Sequence, residues 1–577
     1  MDKLLEISDL SLDLKQDGQW KSILHHVNVT LHRGETLGVV GESGSGKSVT
    51  ALSVMQLLNP NISRYPSGDI LLHNPENEDD VTSLLHCTEK ELQKIRGRRV
   101  AMIFQEPMTS LNPVLKCGQQ ITEQILLHTT MTKEQAEAHT ISLFEEVMLP
   151  RPKQIFNSYP HELSGGQKQR VMIAMAMSCQ PDLLIADEPT TALDVTVQKG
   201  ILQLIKKLQD KHGMSVLFIT HDLGVVAEIA NKVLVLYKGD VVEQGSIQDI
   251  FLHPQHPYTQ GLLACRPSMT VRLKKLPTVS DFMQQSQAMT EVMQELTVSK
   301  EERDAFHAEI YAEKPLLRVC HLNKLYPIRK RKLFEKQQYV NALQDINLEV
   351  FEGETLGLVG ESGCGKTTLG RSIIRLIEAT SGDVFYKDTN LMSLSATEMR
   401  KQRKDLQIIL QDPYSSLNQR LTVGDALMEP MRVHGIGANE KERRKRAVEL
   451  LERVDLNESH FQRYPHEFSG GQRQRISIAR ALAVNPKFII CDESVSALDV
   501  SVQAQVLNLL NELKHEYHFT YIFISHDLSV VRFMSDRIVV MQNGHIVEMG
   551  DADAICDHPQ SDYTRKLIEA IPKGITE

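Results

Sequence analysis

An internal duplication constrains the fold of this chain more than any other feature. The segment Gly41-Glu-Ser-Gly-Ser-Gly-Lys-Ser48 returns as Gly360-Glu-Ser-Gly-Cys-Gly-Lys-Thr367, and Tyr159-Pro-His-Glu162 returns as Tyr464-Pro-His-Glu467. Matching motifs in the same order indicate that one structural unit occurs twice. Because 577 residues are too many for a single hydrophobic core, we expect two large domains with the same fold.

The spacing of the repeats suggests the domain boundaries and one insertion. Lys47 and Lys366 lie 319 positions apart (366 − 47), whereas Glu188 and Glu493 lie 305 apart (493 − 188). The first half therefore carries 14 additional residues (319 − 305), which we place mainly in the polar stretch Asn74–Thr88 as a surface insertion. We expect a first domain at 1–268, a linker at 269–314 and a second domain at 315–577.

Each half alternates short apolar runs with helical patterns, which is typical of an α/β fold with a parallel sheet. The expected buried strands are Leu37–Val40, Leu183–Ala186 and Val216–Thr220 in the first half, and Leu356–Val359, Phe488–Cys491 and Tyr521–Ser525 in the second. The stretches Leu115–Tyr159 and Thr422–Tyr464 have helical patterns, and we expect each to form a helical subdomain.

The pattern G-x-x-x-x-G-K-[ST] lies between an expected strand and an expected helix in both halves, which is the context of a phosphate-binding loop. Glycines let backbone N–H groups wrap around phosphates, the lysine reaches the terminal phosphates, and the last hydroxyl binds Mg²⁺. The predicted nucleotide ligands are Gly41, Glu42, Ser43, Gly44, Ser45, Gly46, Lys47 and Ser48, then Gly360, Glu361, Ser362, Gly363, Cys364, Gly365, Lys366 and Thr367.

Two neighbouring acids follow an apolar strand in each half. Asp187 and Asp492 end these strands, where a carboxylate could join Ser48 and Thr367 in binding Mg²⁺. Glu188 and Glu493 come one position later and are the predicted general bases, because a base must come within hydrogen-bond reach of the attacking water.

Two polar side chains complete each predicted catalytic set. His221 and His526 follow the ends of apolar strands, where an imidazole could contact the γ-phosphate or orient the water. Gln105 and Gln411 also follow strand ends, and a neutral amide there can contact Mg²⁺ or water without fixing a charge.

A second glycine motif precedes a helical pattern in each half. Its backbone N–H groups would stand at a helix N-terminus, which favours an anion because these groups and the helix dipole are both positive there. The predicted residues are Ser164, Gly165, Gly166 and Gln167, and Ser469, Gly470, Gly471 and Gln472.

Together these residues resemble the ATP-binding cassette (ABC) family, and the resemblance extends over both halves. It implies two tandem P-loop NTPase cassettes, each with a RecA-like α/β core, a helical subdomain and a small β subdomain. It also implies an ATPase whose halves pack head to tail as an intramolecular dimer. Leu163–Gln167 and Phe468–Gln472 match the family signature, so each would close on ATP held by the other half's P-loop, and Ala192–Asp194 and Ala497–Asp499 match the D-loop.

Finer motifs are similar to those of the dipeptide/oligopeptide/nickel importer ATPases, in the fused form found in Yej-type (peptide and microcin C) and glutathione importers. They are Glu106–Asn112 and Asp412–Asn418 after the glutamines, and His256-Pro-Tyr-Thr259 and His558–Thr564 after the cassettes. The resemblance implies a motor on the cytoplasmic face of the bacterial inner membrane, bound to two transmembrane permease subunits and served indirectly by a periplasmic substrate-binding protein. No apolar run approaches the roughly 18 residues of a membrane span.

The chain also departs from the family pattern. Phe468 replaces the usual signature leucine, but no catalytic group is lost and we expect both sites to hydrolyse ATP. Tyr326 matches the aromatic residue that stacks on adenine, whereas the corresponding residue in the first half is Leu14; Trp20 is a substitute there or simply a packing residue, and we favour packing. Cys265 and Cys556 are too few for the iron–sulfur cluster of some relatives.

A second hypothesis is a soluble tandem-cassette ATPase acting on ribosomes or nucleic acid. Such proteins typically use a long, basic helical linker, but the connector here has five basic residues and seven acids. The net charge of −10 also argues against nucleic acid as a partner. The connector's pattern is compatible with a short helix or with a mobile linker.

Overall fold

The computed structural model describes residues 2–16, 18–74, 80–105, 110–191, 193–284, 296–328, 337–572 and 574–575. Each half contains a six-stranded core sheet and a four-stranded antiparallel sheet. The strands of the first half are β1 (Lys3–Gln16), β2 (Gln19–His32), β3 (Thr36–Val40), β4 (Ser63–His73), β5 (Val81–Ser83), β6 (Val100–Ile103), β7 (Leu183–Asp187), β8 (Ser215–Thr220), β9 (Lys232–Tyr237) and β10 (Asp240–Ser246).

The core sheet of the first half has the order β10-β9-β3-β8-β7-β6. Pairing is parallel from β9 to β6, and only the edge strand β10 runs antiparallel. Every residue of β3, β7 and β8 is buried, as expected for parallel strands covered on both faces. The P-loop follows β3 and the acids lie at the end of β7, so both reach the carboxyl edge of the sheet.

The second half repeats this topology in its core sheet, with the order β16-β17-β18-β13-β19-β20. The expected α/β fold and all six expected core strands are confirmed. The strands of the second half are β11 (Leu317–Pro327), β12 (Tyr339–Val350), β13 (Thr355–Val359), β14 (Ser381–Tyr386), β15 (Thr389–Asn390), β16 (Leu406–Ile409), β17 (Phe488–Asp492), β18 (Thr520–Ile524), β19 (Arg537–Gln542) and β20 (His545–Asp551).

Helices surround the core sheet and form the expected helical subdomain. The helices of the first half are α1 (Lys47–Val54), α2 (Glu89–Ile95), α3 (Cys117–His128), α4 (Lys133–Glu146), α5 (Pro152–Phe156), α6 (Gly165–Met177), α7 (Val195–His212), α8 (Leu223–Ile229), α9 (Ile247–Leu252) and α10 (Pro257–Ala264). In the subdomain, Phe156 packs so closely on Gly118 of α3 that a Cβ atom there would lie 2.2 Å from its ring.

The helices of the connector and the second half follow in chain order. They are α11 (Val279–Gln284), α12 (Lys300–Ile310), α13 (Lys366–Ile373), α14 (Ala396–Gln402), α15 (Pro413–Ser416), α16 (Val423–Val433), α17 (Glu440–Arg453), α18 (Gly470–Leu482), α19 (Val500–Tyr517), α20 (Leu528–Met534), α21 (Ala552–Asp557) and α22 (Asp562–Glu569). Among the residues described, no helix is both long and apolar enough to cross a bilayer.

The extra residues of the first half are divided between strand β4 and the segment that follows it, so their placement mainly in Asn74–Thr88 was only partly right. Strand β4 has 11 residues whereas β14 has 6, because β4 pairs along a longer stretch of β1. The segment between β4 and β5 also contains more residues than the one between β14 and β15; its residues 75–79 lie outside the described part.

In its described residues, the connector is helical at two places and is attached to the second half. The Leu276 N–H donates to the side-chain oxygen of Asn508 in α19 at 2.8 Å, and the Asn508 side-chain NH₂ donates back to the Leu276 carbonyl at 2.8 Å. Arg303 of α12 donates to the Asp536 carbonyl at 3.0 Å, and the Asp536 carboxylate pairs with Lys514 at 3.0 Å. Residues 285–295 lie outside the described part of the chain.

Candidate functional site

Each P-loop curls around its own lysine. Lys47 Nζ donates to the Gly41 and Glu42 carbonyls at 2.7 and 2.9 Å, and Lys366 Nζ makes the equivalent bonds at 2.7 and 3.1 Å. Gly46 precedes α1 with φ 108°, and a Cβ atom there would lie 2.5 Å from Leu24. Only glycine fits this turn, which directs the following backbone N–H groups into the loop.

The hydroxyl and the aspartate predicted to hold Mg²⁺ meet in both halves, whereas the glutamine predicted as a further ligand contacts the neighbouring glutamate instead. Ser48 Oγ donates to Asp187 at 3.0 Å, and Thr367 Oγ1 donates to Asp492 at 2.8 Å. Burial raises the pKa of Asp187 to about 6, and the adjacent Glu188 charge adds to the rise. One hydroxyl and one carboxylate fit Mg²⁺, which takes few protein oxygens and completes its shell with phosphate and water.

The predicted general bases are held in a strained turn. Glu188 and Glu493 have φ angles of 46° and 48°, a left-handed conformation that residues other than glycine rarely adopt. Their N–H groups donate to Ile219 and Ile524 on the neighbouring strands at 2.9 and 3.0 Å, which fixes the turn. Such strain concentrates at functional sites, and no local sequence pattern predicted it.

The glutamine and histidine predicted for each half converge on its glutamate. Gln105 Nε2 donates to Glu188 at 3.0 Å, and His221 Nδ1 lies 3.3 Å from the same carboxylate. Burial alone would raise the pKa of Glu188, but the nearby His221 imidazole and the hydrogen bond from Thr191 lower it to about 2. The carboxylate is therefore ionised at neutral pH, as a base must be.

The second glutamate has a looser set of partners. Gln411 Nε2 donates to Glu493 at 2.8 Å, but His526 Nδ1 lies 3.7 Å away. Ser496 Oγ donates to the Glu493 carbonyl at 3.0 Å instead of its carboxylate, whereas Thr191 Oγ1 reaches the Glu188 carboxylate at 2.9 Å. The two predicted catalytic sets therefore share residue types but differ in hydrogen bonding.

The halves contact each other through their D-loops. Asp499 accepts a hydrogen bond from the Ser43 N–H at 2.8 Å, and Asp194 accepts one from the Ser362 N–H at 2.8 Å. Each D-loop aspartate thus binds the P-loop of the other half, in a reciprocal arrangement. Ala192, at the start of the first D-loop motif, lies outside the described residues.

The glutamates of the P-loops make a second contact with the opposite half. The Glu361 carboxylate accepts a hydrogen bond from Thr196 Oγ1 at 3.0 Å, and the Glu42 carboxylate accepts one from Ser501 Oγ. Thr196 and Ser501 were not predicted from the sequence, because they lie in the first turns of α7 and α19, which match none of the motifs considered.

The signature serines cap helices in the expected way. Ser164 and Ser469 precede α6 and α18, and each forms a capping box with the glutamine three residues later. A Cβ atom on Gly165 would lie 3.7 Å from Leu193, and one on Gly166 would lie 2.8 Å from Val197. The first signature therefore packs on the segment that carries Asp194 to the opposite P-loop.

The adenine-stacking position differs between the halves. Tyr326 is 37% exposed with the Lys324 ammonium 4.9 Å from its ring centre, whereas Leu14 is partly buried against the core. Trp20 pairs across the strands with Lys15, so it lies on the face opposite Leu14. The Arg64 guanidinium covers its ring at 4.5 Å, which supports packing as the role of Trp20.

The remaining sequence features have simple structural settings. Phe468 is buried under the Arg463 guanidinium, 4.6 Å from its ring centre. Cys265 and Cys556 are buried, which raises the pKa of each thiol to about 12 and makes them poor metal ligands. Residues 106–109 of the motif after Gln105 lie outside the described part.

Comparison with known proteins agrees with this geometry. The ABC transporter family matches residues 24–191 and 343–496, and the oligopeptide/dipeptide transporter C-terminal region matches residues 242–291 and 547–574. The chain is 47% identical over 572 residues to the glutathione import ATP-binding protein GsiA of Pectobacterium atrosepticum, covering 99% of this chain and 90% of that protein.

GsiA of Salmonella paratyphi A is 48% identical over 570 residues, covering 99% of this chain and 89% of the relative. A solved dimeric ATP-binding cassette in a post-hydrolysis state aligns with 41% of this chain and 98% of its own, at 32% identity and a TM-score of 0.38. The ribosome or nucleic-acid alternative finds no support among these relatives. The chain belongs to the ABC transporter family as a fused pair of ATP-binding and ATP-hydrolysing cassettes, each followed by an oligopeptide-transporter C-terminal segment.

Proposed function

We propose that this chain hydrolyses ATP at two composite sites to drive the import of peptides, with glutathione as the first candidate substrate. The observation that carries the composite sites is the reciprocal D-loop contact, in which Asp194 binds Ser362 and Asp499 binds Ser43. Each signature then closes on ATP bound by the opposite P-loop. We retain domain boundaries at 1–268, 269–314 and 315–577; α10 ends at Ala264 and β11 begins at Leu317, which supports them.

The chemistry assigned to each site follows from its contacts. Lys47 and Lys366 bind the terminal phosphates, and Glu188 and Glu493 accept the proton of the attacking water. His221 and His526 orient that water, and Tyr326 stacks on adenine in the second half. Mg²⁺, where bound, neutralises phosphate charge. Its proposed ligands are Ser48, Asp187 and Gln105 in the first half and Thr367, Asp492 and Gln411 in the second.

The proposed partners follow from the relatives. Those relatives are named for glutathione import, and both C-terminal segments of this chain match an oligopeptide transporter region. We therefore assign two transmembrane permease subunits as direct partners, a periplasmic substrate-binding protein as an indirect one, and the cytoplasmic face of the inner membrane as the site of action. Nucleic acid is not among the partners.

The catalytic proposal is tested by the double variant Glu188→Gln with Glu493→Gln. Loss of a general base typically costs about 10²- to 10⁴-fold in rate, so we expect ATP turnover to fall by at least about 100-fold while ATP still binds. Steady-state phosphate release and filter binding of labelled ATP measure the two quantities. Turnover at the unmodified rate would refute these roles.

The substrate proposal needs a separate transport assay. Cells lacking this chain are complemented with the unmodified chain or the double variant, and uptake of labelled glutathione and of a labelled dipeptide is compared. We expect glutathione uptake only with the unmodified chain. Dipeptide uptake alone would replace glutathione by another peptide, and uptake independent of the chain would refute peptide import.

A further inference from the structure

Two tyrosines from the C-terminal segments touch the P-loops. The Tyr258 hydroxyl accepts a hydrogen bond from the Glu42 N–H at 2.9 Å, and the Tyr563 hydroxyl accepts one from the Glu361 N–H at 2.9 Å. Tyr258 is completely buried and Tyr563 is 8% exposed. The same contact, made twice across more than 200 residues, involves the residue after the first glycine of each P-loop.

The first turn of each C-terminal helix holds its tyrosine in place. His256 Nδ1 accepts from the Tyr258 N–H at 3.1 Å, and Glu243 of β10 accepts from the His256 N–H at 3.2 Å. In the second half, Ser561 Oγ accepts from the Tyr563 N–H at 3.2 Å, and Glu548 of β20 accepts from the Ser561 N–H at 3.0 Å. Each tyrosine is thus anchored to the edge strand of its own core sheet.

The P-loop residue held by the tyrosine is also held by the opposite half. The backbone of Glu361 is bound by Tyr563, and its carboxylate is bound by Thr196 of α7. The backbone of Glu42 is bound by Tyr258, and its carboxylate is bound by Ser501 of α19. In each half, the P-loop glutamate therefore joins the C-terminal segment of its own half to the helix that follows the D-loop of the opposite half.

The C-terminal helices are also connected to those same opposite helices, α22 by direct contact and α10 through the connector. Lys199 of α7 donates to the Glu569 carbonyl at the end of α22 at 2.7 Å. In the first half, α10 packs so closely on α11 that a Cβ atom on Gly261 would lie 2.9 Å from the Val279 backbone. The connector ahead of α11 is in turn bonded to α19 through Leu276.

From these contacts we propose that Tyr258 and Tyr563 are positioning residues for ATP binding. Each hydroxyl fixes the start of its P-loop so that the loop meets both the nucleotide and the opposite D-loop helix. Without the hydroxyl, the P-loop N–H loses its acceptor, and the loop is free to shift relative to Thr196 or Ser501. The inference rests on the proposed ATP sites and assigns the C-terminal segments a part in them.

The test compares Tyr258→Phe and Tyr563→Phe in the full chain. Hydrogen–deuterium exchange should speed up in the first P-loop alone for Tyr258→Phe, and in the second alone for Tyr563→Phe. Photolabelling with 8-azido-ATP, followed by cleavage between the halves, should show about two- to ten-fold weaker binding in the same half. That range is what one neutral hydrogen bond is worth.

Tyr237→Phe is the matched control, because the Tyr237 ring lies 4.3 Å from the Tyr258 ring and the change leaves the Glu42 hydrogen bond in place. We expect this variant to retain both P-loop exchange and ATP affinity. If one tyrosine variant fails to fold, the other tests the same contact. Unchanged exchange and affinity, or equal weakening in both halves, would overturn the inference; failure of the unmodified chain to bind ATP would instead overturn the proposed function.

Discussion

At the scale of single residues, the two sites are not copies of each other. Glu188 has three side-chain partners within 3.3 Å, whereas the histidine beside Glu493 is 3.7 Å away. Tyr326 has only Leu14 as its counterpart in the other half. Hydrogen bonds to the ionised form lower a carboxyl pKa, and aromatic rings bind adenine by stacking. We therefore predict that the two sites differ in base strength and in their contacts with the nucleotide.

The charge of Asp187 opposes folding of the first half when no cation is bound. Its pKa is raised from 3.8 to about 6 by burial, so the folded state binds the proton more tightly than the unfolded state. The carboxylate therefore destabilises the nucleotide-free protein above pH 6. This cost disappears as the pH falls from about 6 to about 4.

We therefore predict that Asp187→Asn raises the thermal midpoint of the nucleotide-free chain at pH 8. Raising a carboxyl pKa by this much corresponds to about 3 kcal/mol of free energy, which is the upper limit of the gain in the free energy of unfolding. The difference from the unmodified chain should shrink at pH 5 and reverse in saturating MgATP, where the carboxylate is needed. Calorimetry at the two pH values checks this, and an equal or lower midpoint at pH 8 would contradict it.

At the scale of elements, tight helix packing shapes the helical subdomains. Gly118 of α3 meets the Phe156 ring and Gly424 of α16 meets the Phe461 ring, and a Cβ atom on either glycine would lie 2.2 Å from that ring. The same pair of glycine and phenylalanine occurs in both halves, and in each half the ring leaves no room for a side chain at the glycine. Packing of this kind fixes the orientation of the subdomain that carries the signature.

Gly118→Ala should destabilise the first helical subdomain, because overpacking a core typically costs about 1–3 kcal/mol. Gly200→Ala is the matched control: it also lies within a helix, but its nearest atom to an added Cβ is the Arg170 guanidinium at 3.5 Å. We expect a lower thermal midpoint for the first variant and an unchanged or slightly higher one for the second. Equal thermal midpoints of the two variants would show that the Phe156 contact does not limit the stability of the subdomain.

The sequence predicted the elements well because their signals are local. The strands ending at Asp187 and Asp492, the loops before α1 and α13 and the helical stretches all follow from short patterns. The left-handed turn at Glu188 could not be predicted, because it depends on the neighbouring strand β8. The bonds from Ser501 to Glu42 and from Tyr258 to the P-loop join residues far apart in sequence, and only the docked fold brings them together.

At the scale of the whole molecule, the two halves share their sites. Asp499 of the second half binds the first P-loop, and Asp194 of the first half binds the second P-loop. The signature glycines pack on the same D-loop segments, as seen for Gly165 beside Leu193. A defect in one signature should therefore appear at the ATP bound by the other half.

Ser469→Arg should abolish hydrolysis at the Lys47 site, because a bulky cation would stand where this signature is expected to meet the phosphates. Vanadate trapping of labelled nucleotide, followed by cleavage between the halves, reports which P-loop turns over. Ser164→Arg is the reciprocal control and should affect the Lys366 site. Loss confined to the Lys366 site in Ser469→Arg would disprove the crossed arrangement.

The connector has a thermodynamic consequence for this interface. It is bonded to the second half through Leu276 and Arg303, so the first half is tethered within a few tens of ångströms of its partner. A tether of this kind provides an effective concentration on the order of millimolar. The halves can therefore meet through a few polar contacts, such as those of Asp194 and Asp499, and separate again after each turnover without ever diffusing apart.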